Sequence, residues 1–484
     1  MKRFFLVITI ACIGVITQAQ ELKKIVLPNG WALSPAGKSL SLGDLPLNMA
    51  VSRSKKLMAI TNNGQSTQSI QLINLVNNSI LDNIKISKSW LGIAFSADEK
   101  TLYASGGNDN WILKYSIISN KLLLSDSIKL GEKWPHKISP AGICINDSKN
   151  ILYVVTKDDS SLYEVNLNTK KIINKIALPA EAYTCVLSND KSELYISIWG
   201  AEKLVVYNTS SQKITNSIST GTHPNDLILS KNGKTIYVAN GEDNSVSVID
   251  IKNKKVIETL NCALYPNAPA GSATNGVALS TDEKTLYIAN ADNNCLAVFD
   301  VTEVGNSKSK GFIPVGWYPT SVKVVGTKIY VTNGKGFSSF ANPLGPDPYN
   351  QNAQMAVQKG LLKNTKEVQY IGGLMKGTLS IINTPSEKQL GLYSAAVYEN
   401  TPYTKMNEEK SNAEIGSVIP QKLGDPSAIK YVFYIVKENR TYDQVLGDVK
   451  EGNGDPALCI FGEKMTSNQH ALVKDFVLLD NFYV

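Results

Sequence analysis

Residues 223–260 read HPNDLILSKNGKTIYVANGEDNSVSVIDIKNKKVIETL and divide into four short strand-like runs. The first, 226–230, is apolar and ends at the polar turn Lys231-Asn232-Gly233-Lys234. The second, 235–239, is rich in β-branched and aromatic residues. The third, 245–250, alternates apolar and polar residues, which buries one face. The fourth, 255–260, is more polar and belongs at a rim.

The same frame recurs on both sides. It starts again at Ala273 as ATNGVALSTDEKTLYIANADNNCLAVFDV, and earlier at Trp90, Pro140 and Ala182. A degenerate first copy begins at Pro46, with Met58 read at the tyrosine position, and a seventh begins at Tyr318. The tyrosines 103, 153, 195, 237, 287 and 330 anchor six copies at steps of 50, 42, 42, 50 and 43 residues. A unit of roughly 40–45 residues with four strands and no helix points to propeller blades. One such sheet cannot cover both its faces, whereas radial packing does so and leaves only short edges. A linear solenoid needs capping repeats, and none is evident. The expected class is therefore all-β, a seven-bladed β-propeller over residues 20–403. Its closure is expected from pairing of residues 38–42 with the last blade.

The strands followed by sequences such as NSVSVID resemble the YVTN-type propeller repeat family over residues 46–398. That resemblance implies a secreted or surface protein and the propeller fold. It is silent on activity, because one scaffold hosts many functions. The seventh copy is interrupted. Its second strand ends near Asn333 and its third begins at Gly377, so residues 334–376 form an insertion with a short helix expected at 351–362. The insertion is expected to pack on the tail or linker.

The N-terminus reads as a leader. Lys2 and Arg3 precede an apolar run at 4–16, and Thr17-Gln18-Ala19 places small residues for cleavage after Ala19. The run is too short to span a bilayer, and no later segment is apolar enough to do so. A secreted, periplasmic or cell-envelope protein with no membrane span is the expectation. Cys12 is poorly placed for lipidation, since Thr9 precedes it and apolar residues follow. Apolar residues make up 43% and charged residues 19%, enough to bury a large core. The formal charge of +7 is dispersed, without a Lys/Arg block, which argues against a nucleic-acid partner. The remaining cysteines, Cys144, Cys185, Cys262, Cys295 and Cys459, form no CxxC pair and read as buried thiols.

After Tyr403 the composition changes. Residues 404–430 are polar and read as a linker. Residues 431–436, YVFYIV, form a continuous apolar run expected as a strand buried on both faces. Glu438 and Asn439 follow at its end, where open α/β sheets place ligands. Both offer hard oxygen donors to a divalent metal ion. A helix is expected over 468–474 and a second strand-like run over 476–484.

This tail resembles the start of the phosphoesterase family that includes acid phosphatases and phospholipase C-type enzymes. The residues that carry the resemblance are Lys437-Glu438-Asn439-Arg440-Thr441-Tyr442-Asp443, Gly452-Asn453-Gly454-Asp455-Pro456 and Asn468-Gln469-His470-Ala471-Leu472. It implies Glu438 and Asn439 as metal ligands, with the divalent metal complete only in the intact domain. It places the nucleophile and remaining ligands beyond Val484, so that residues 431–484 would be a truncated α/β segment, inactive alone. His136 and His223 in inter-blade loops read as structural or solvated, and His470 receives no role. Asp250 and Asp300 end third strands and read as turn formers. The leading expectation is an exported propeller fused to a hydrolase of phosphoric esters. The alternatives are a propeller that only binds a small molecule or protein partner at one face, and a lactonase-like propeller enzyme with acidic or histidine residues at its axial mouth.

Overall fold

The computed structural model describes residues 24–27, 29–266, 268–337, 371–402, 416–420 and 425–480. The expected leader and the expected helix at 351–362 lie outside them, as does most of the insertion and of the linker.

Seven four-stranded antiparallel sheets form the blades, and six of them use sequential strands from the axis outward. In blade 5 these are Pro224–Leu229, Thr235–Asn240, Ser245–Asp250 and Lys255–Asn261. The first strands abut one another around the ring, and that of blade 7, Trp317–Val325, meets that of blade 1, Pro46–Val51. The ring is closed. Second and third strands are buried along nearly their whole length, because each blade packs both faces against its neighbours. Fourth strands alternate exposed and half-buried, as rim strands should.

Closure joins the two ends of the propeller sequence. Blade 7 consists of Trp317–Val325, Lys328–Gly336, Lys376–Asn383 and, at the rim, the N-terminal Lys38–Asp44. Leu40 lies opposite Leu379, and Lys38 opposite Ile381. This is the expected pairing, extended by two residues.

Three features differ from the sequence reading. The tyrosine position of blade 1 belongs to Ala59, not Met58. Ala59 pairs with Leu72 as Tyr237 pairs with Val248, both three residues before the strand-ending Asn62 and Asn240. An α-helix, Glu387–Asn400, follows the last blade and docks on the fourth strand of blade 6. Its Leu390 and Val397 are buried, Tyr398 sets its ring against Phe312 at 5.8 Å, and Asn400 donates to Ser34 Oγ at 2.8 Å. The helix thus ties the segment before the closing strand to the rim. Ser386 caps it by accepting from Gln389 N–H at 3.3 Å.

The third difference concerns the tail. Residues 431–436 form no strand, and their side chains are 68–90% exposed. A strand is held by ladder hydrogen bonds to a partner strand, and none lies beside this run among the described residues. Residues 476–480 are likewise without strand structure. What the tail does form is helical: Tyr442–Leu446, a 3₁₀ turn at Pro456–Leu458, and Ser467–Asp475, which matches the expected helix with one residue added at each end.

Candidate functional site

Two places bring chemistry-bearing residues together. The first is the mouth of the central channel, on the face where loops between second and third strands meet the crossovers between blades. In blades 1, 3, 5 and 6 the same pair of backbone hydrogen bonds pins loop to crossover. In blade 5 Gly241 N–H donates to the His223 carbonyl at 2.9 Å, and Glu242 N–H to the Thr222 carbonyl at 3.4 Å. The residue just before the first strand is left-handed in four blades, Leu45, Ser139, His223 and Ala273, with φ between 44° and 53°, and the second residue of blade 7's first strand, Tyr318, is left-handed at 64°. Such backbone costs energy in residues with a side chain, and here the paired carbonyls hold it.

Glycine makes the crossover fit. A Cβ on Gly221 would lie 2.7 Å from the Asn240 amide, and one on Gly316 would lie 2.7 Å from Asn333. Both glycines stand three residues before a proline, as does Gly43 before Pro46. This G-x-x-P spacing was available in the sequence and marks each of these crossovers.

Glu242 and Asp292 on the pinned loops of blades 5 and 6, and Lys335 near the end of the second strand of blade 7, occupy equivalent positions. Burial raises the Asp292 carboxyl above the usual range; Glu242 adds to the rise and Lys335 opposes it. Lys335 places its ammonium over Tyr318 at 4.8 Å and over Trp317 at 5.5 Å from the ring centroids. Burial, followed by Asp292 and Glu242, raises the Tyr318 phenol. Beneath them Asn225 is buried, donates to Asn275 Oδ1 at 3.2 Å, and leaves its own Oδ1 without a partner. Asp226, one residue on, faces Lys323 at 3.6 Å. His223 packs edge-on against Trp199 at 4.3 Å. These groups combine proton donors and acceptors with aromatic surfaces. The sequence reading treated His223 as structural and saw no carboxylate cluster at the mouth. The repeat alignment itself carried the signal, since Glu242, Asp292 and Lys335 occupy one column of it.

The second place is the tail. Glu438 and Asn439 are exposed and adjacent, directly after the exposed apolar run. Two hard oxygen donors suit a divalent cation, but they fill only part of its coordination shell. No group of three or more His, Cys, Asp or Glu side chains converges to hold a metal among the described residues. The first two of the three stretches that carry the phosphoesterase resemblance fold onto one another. Asp455 N–H donates to Asp443 Oδ1 at 2.8 Å, and a Cβ on Gly452 or Gly454 would strike Tyr442. His470 is buried and pairs with Asp448 at 2.8 Å, while its Nδ1 lies 2.9 Å from the Thr466 carbonyl. The His470 contact lowers the Asp448 pKa to about 2. Burial pulls the imidazole pKa down, and Asp448, the Thr466 carbonyl and Glu463 outweigh it, leaving it raised. His470 is thus the polar centre of the tail unit.

The other sequence-flagged residues are structural. Asp250 accepts from Lys252 N–H at 2.9 Å and Asp300 from Thr302 N–H at 2.9 Å, as turn formers do. The His136 carbonyl accepts from Asn110 Nδ2 at 2.8 Å. Among the described residues no disulfide joins the five cysteines; Cys185, Cys262 and Cys295 are buried, Cys144 and Cys459 are half-buried, and burial holds Cys144 at about 11.

Fold and site define the class: a seven-bladed β-propeller. A family model described as "Lactonase, 7-bladed beta-propeller" matches residues 184–256, which span blade 4 and most of blade 5. Among solved structures, the chain is similar to a chain of Kuenenia stuttgartiensis hydrazine synthase at 16% identity and a TM-score of 0.51, covering 60% of this chain and 92% of that one. It is also similar to U3-55K at 14% identity and a TM-score of 0.53, covering 62% and 92%. At these identities the likeness is one of fold. No curated protein matches.

Proposed function

We propose that this chain is the propeller-bearing part of an exported, metal-dependent phosphoesterase that hydrolyses phosphoric esters. The observation that carries the reading is the tail's arrangement. Three separated stretches resemble one phosphoesterase family, the first two pack together, the third is tied by the His470–Asp448 pair to the segment between them, and beside them six consecutive apolar residues stand exposed. Burying one such side chain stabilises a fold by roughly 1.5–3 kcal/mol, so the run is suited to the interior of a sheet. In such a sheet Glu438 and Asn439 would sit at a strand's carboxyl end, where metals bind in open α/β folds. A divalent ion held there would stabilise charge on the phosphoryl oxygens. Glu438 and Asn439 would serve as two of its ligands, and the His470–Asp448 pair would hold the adjoining helix in place.

The test is hydrolysis of an aryl phosphate mono- or diester by the full-length protein, with and without chelator. Chelator-sensitive turnover that Glu438→Ala abolishes supports the reading. Turnover indifferent to both chelator and Glu438→Ala overturns it. Residues 1–484 alone are expected to be inactive.

A second reading has its own support. The lactonase-type match over residues 184–256, together with the carboxyl, phenol and ammonium groups at the channel mouth, favours a propeller with chemistry or binding of its own. Ring-opening of a lactone by residues 1–484, lost on Asp292→Asn, would select it.

A further inference from the structure

We propose that the channel mouth over blades 5–7 binds a neutral saccharide, the end of an oligosaccharide chain, through Asp292, Glu242, Lys335 and the ring of Tyr318. The proposal is independent of the phosphoesterase reading, since it concerns another part of the chain and another chemistry.

The charges there influence one another without pairing. Lys335 and Glu242 both act on the Asp292 carboxyl, yet Lys335 makes no ion pair with either and rests over Tyr318 and Trp317 instead. A ligand that fits between must accept from the ammonium and donate to the carboxyls at once. A hydroxyl does both, and vicinal hydroxyls on a ring do so in two directions. A simple anion would satisfy Lys335 and be repelled by Glu242, and a simple cation would have the reverse difficulty.

A second, separate observation points the same way. Asn225 is 5% exposed, and its Oδ1 has no hydrogen-bond partner. Its amide donates to Asn275 Oδ1 at 3.2 Å. A buried acceptor left unpaired costs about 1–3 kcal/mol, and a donor supplied from the channel would remove that cost. An aromatic ring supplies the remaining element. Tyr318, with the Lys335 ammonium 4.8 Å from its ring centroid, offers an aromatic surface beside the polar groups, matching the apolar face and hydroxyl edge of a sugar ring. The loops bearing the blade 5 and blade 6 groups are pinned by backbone hydrogen bonds, so the site is formed before a ligand arrives.

The experiment is titration of the full chain with maltotetraose and with cellotetraose, read by tryptophan fluorescence and calorimetry. Sodium phosphate and sodium gluconate are titrated in parallel as anion probes. Saturable binding of at least one saccharide, at Kd about 1 mM or tighter, is expected. Asp292→Asn and Lys335→Met should each weaken it about tenfold or more, with unchanged melting temperatures. Trp134→Ala, on the far side of the mouth, should leave it unaltered. Saturation by neither saccharide overturns the proposal. So does binding that survives both Asp292→Asn and Lys335→Met. Binding of phosphate or gluconate in preference to saccharide, abolished by Lys335→Met alone, would make this an anion site and overturn it as well.

Discussion

Gly221 and Gly316 show how much of this ring depends on single atoms. Each lies where a Cβ would enter the amide of a buried asparagine at a strand end, in a segment already crossing between blades. Gly221→Ala or Gly316→Ala is expected to lower stability by about 1–3 kcal/mol, as overpacking of a close contact does. Gly391→Ala is the matched control. It sits in the edge helix with nothing within 4 Å of its Cβ, and it should be neutral or stabilising by up to about 1 kcal/mol. Thermal melts of the three variants decide the comparison. His470 and Asp448 make a residue-scale prediction of another kind. The raised imidazole pKa contributes stability that is present in full below its unfolded value of about 6.5 and is lost as pH rises through the folded value. The lowered carboxyl pKa contributes stability present above about 3.8 and lost as pH falls through about 2. The tail unit should therefore be most stable from about pH 4 to about pH 6.5, and His470→Gln should flatten its alkaline limb. Hydrogen exchange across residues 442–475 measures this; an unchanged alkaline limb in the variant would contradict it.

At the scale of elements, the closing strand and the exposed run make opposite predictions. Lys38–Asp44 completes blade 7, and its Leu42 is buried against Met49, Met58 and Leu379. Leu42→Ala should cost about 2–5 kcal/mol and reduce the melting temperature of the whole ring, because opening one blade exposes the faces of two. A local effect confined to residues 38–44 by hydrogen exchange would show that closure is not cooperative. Residues 431–436 should do the reverse and promote association, since an extended apolar run without a ladder partner invites one. Val432→Lys with Tyr434→Lys should shift the chain toward monomer in size-exclusion chromatography with light scattering. The sequence was most informative at this scale. Its repeat period located all seven blades and the pairing that closes them, because strand alternation and turn residues are local signals. It was silent on the left-handed residues before the first strands, whose conformation is set by carbonyl pairing across the blade. The edge helix was legible in principle, since Ser386-Glu387-Lys388-Gln389 has capping-box spacing. The YVFYIV run was misread as a formed strand because strand structure depends on a neighbour that local pattern does not specify.

For the whole molecule, the account separates scaffold from chemistry. Seven blades present one ordered mouth, and a short helical tail presents Glu438 and Asn439 beside an unpaired apolar run. The mouth residues were hidden from the sequence reading because they are scattered over some ninety positions and meet only when blades 5–7 are placed side by side. The tail residues were legible because they are consecutive. The most direct measurement of the central claim is the metal content of the full-length protein, with the ion located by anomalous scattering. The account predicts a divalent ion contacting Glu438 and Asn439, lost in Glu438→Ala. An ion located elsewhere, or a metal content unchanged by Glu438→Ala, would contradict it.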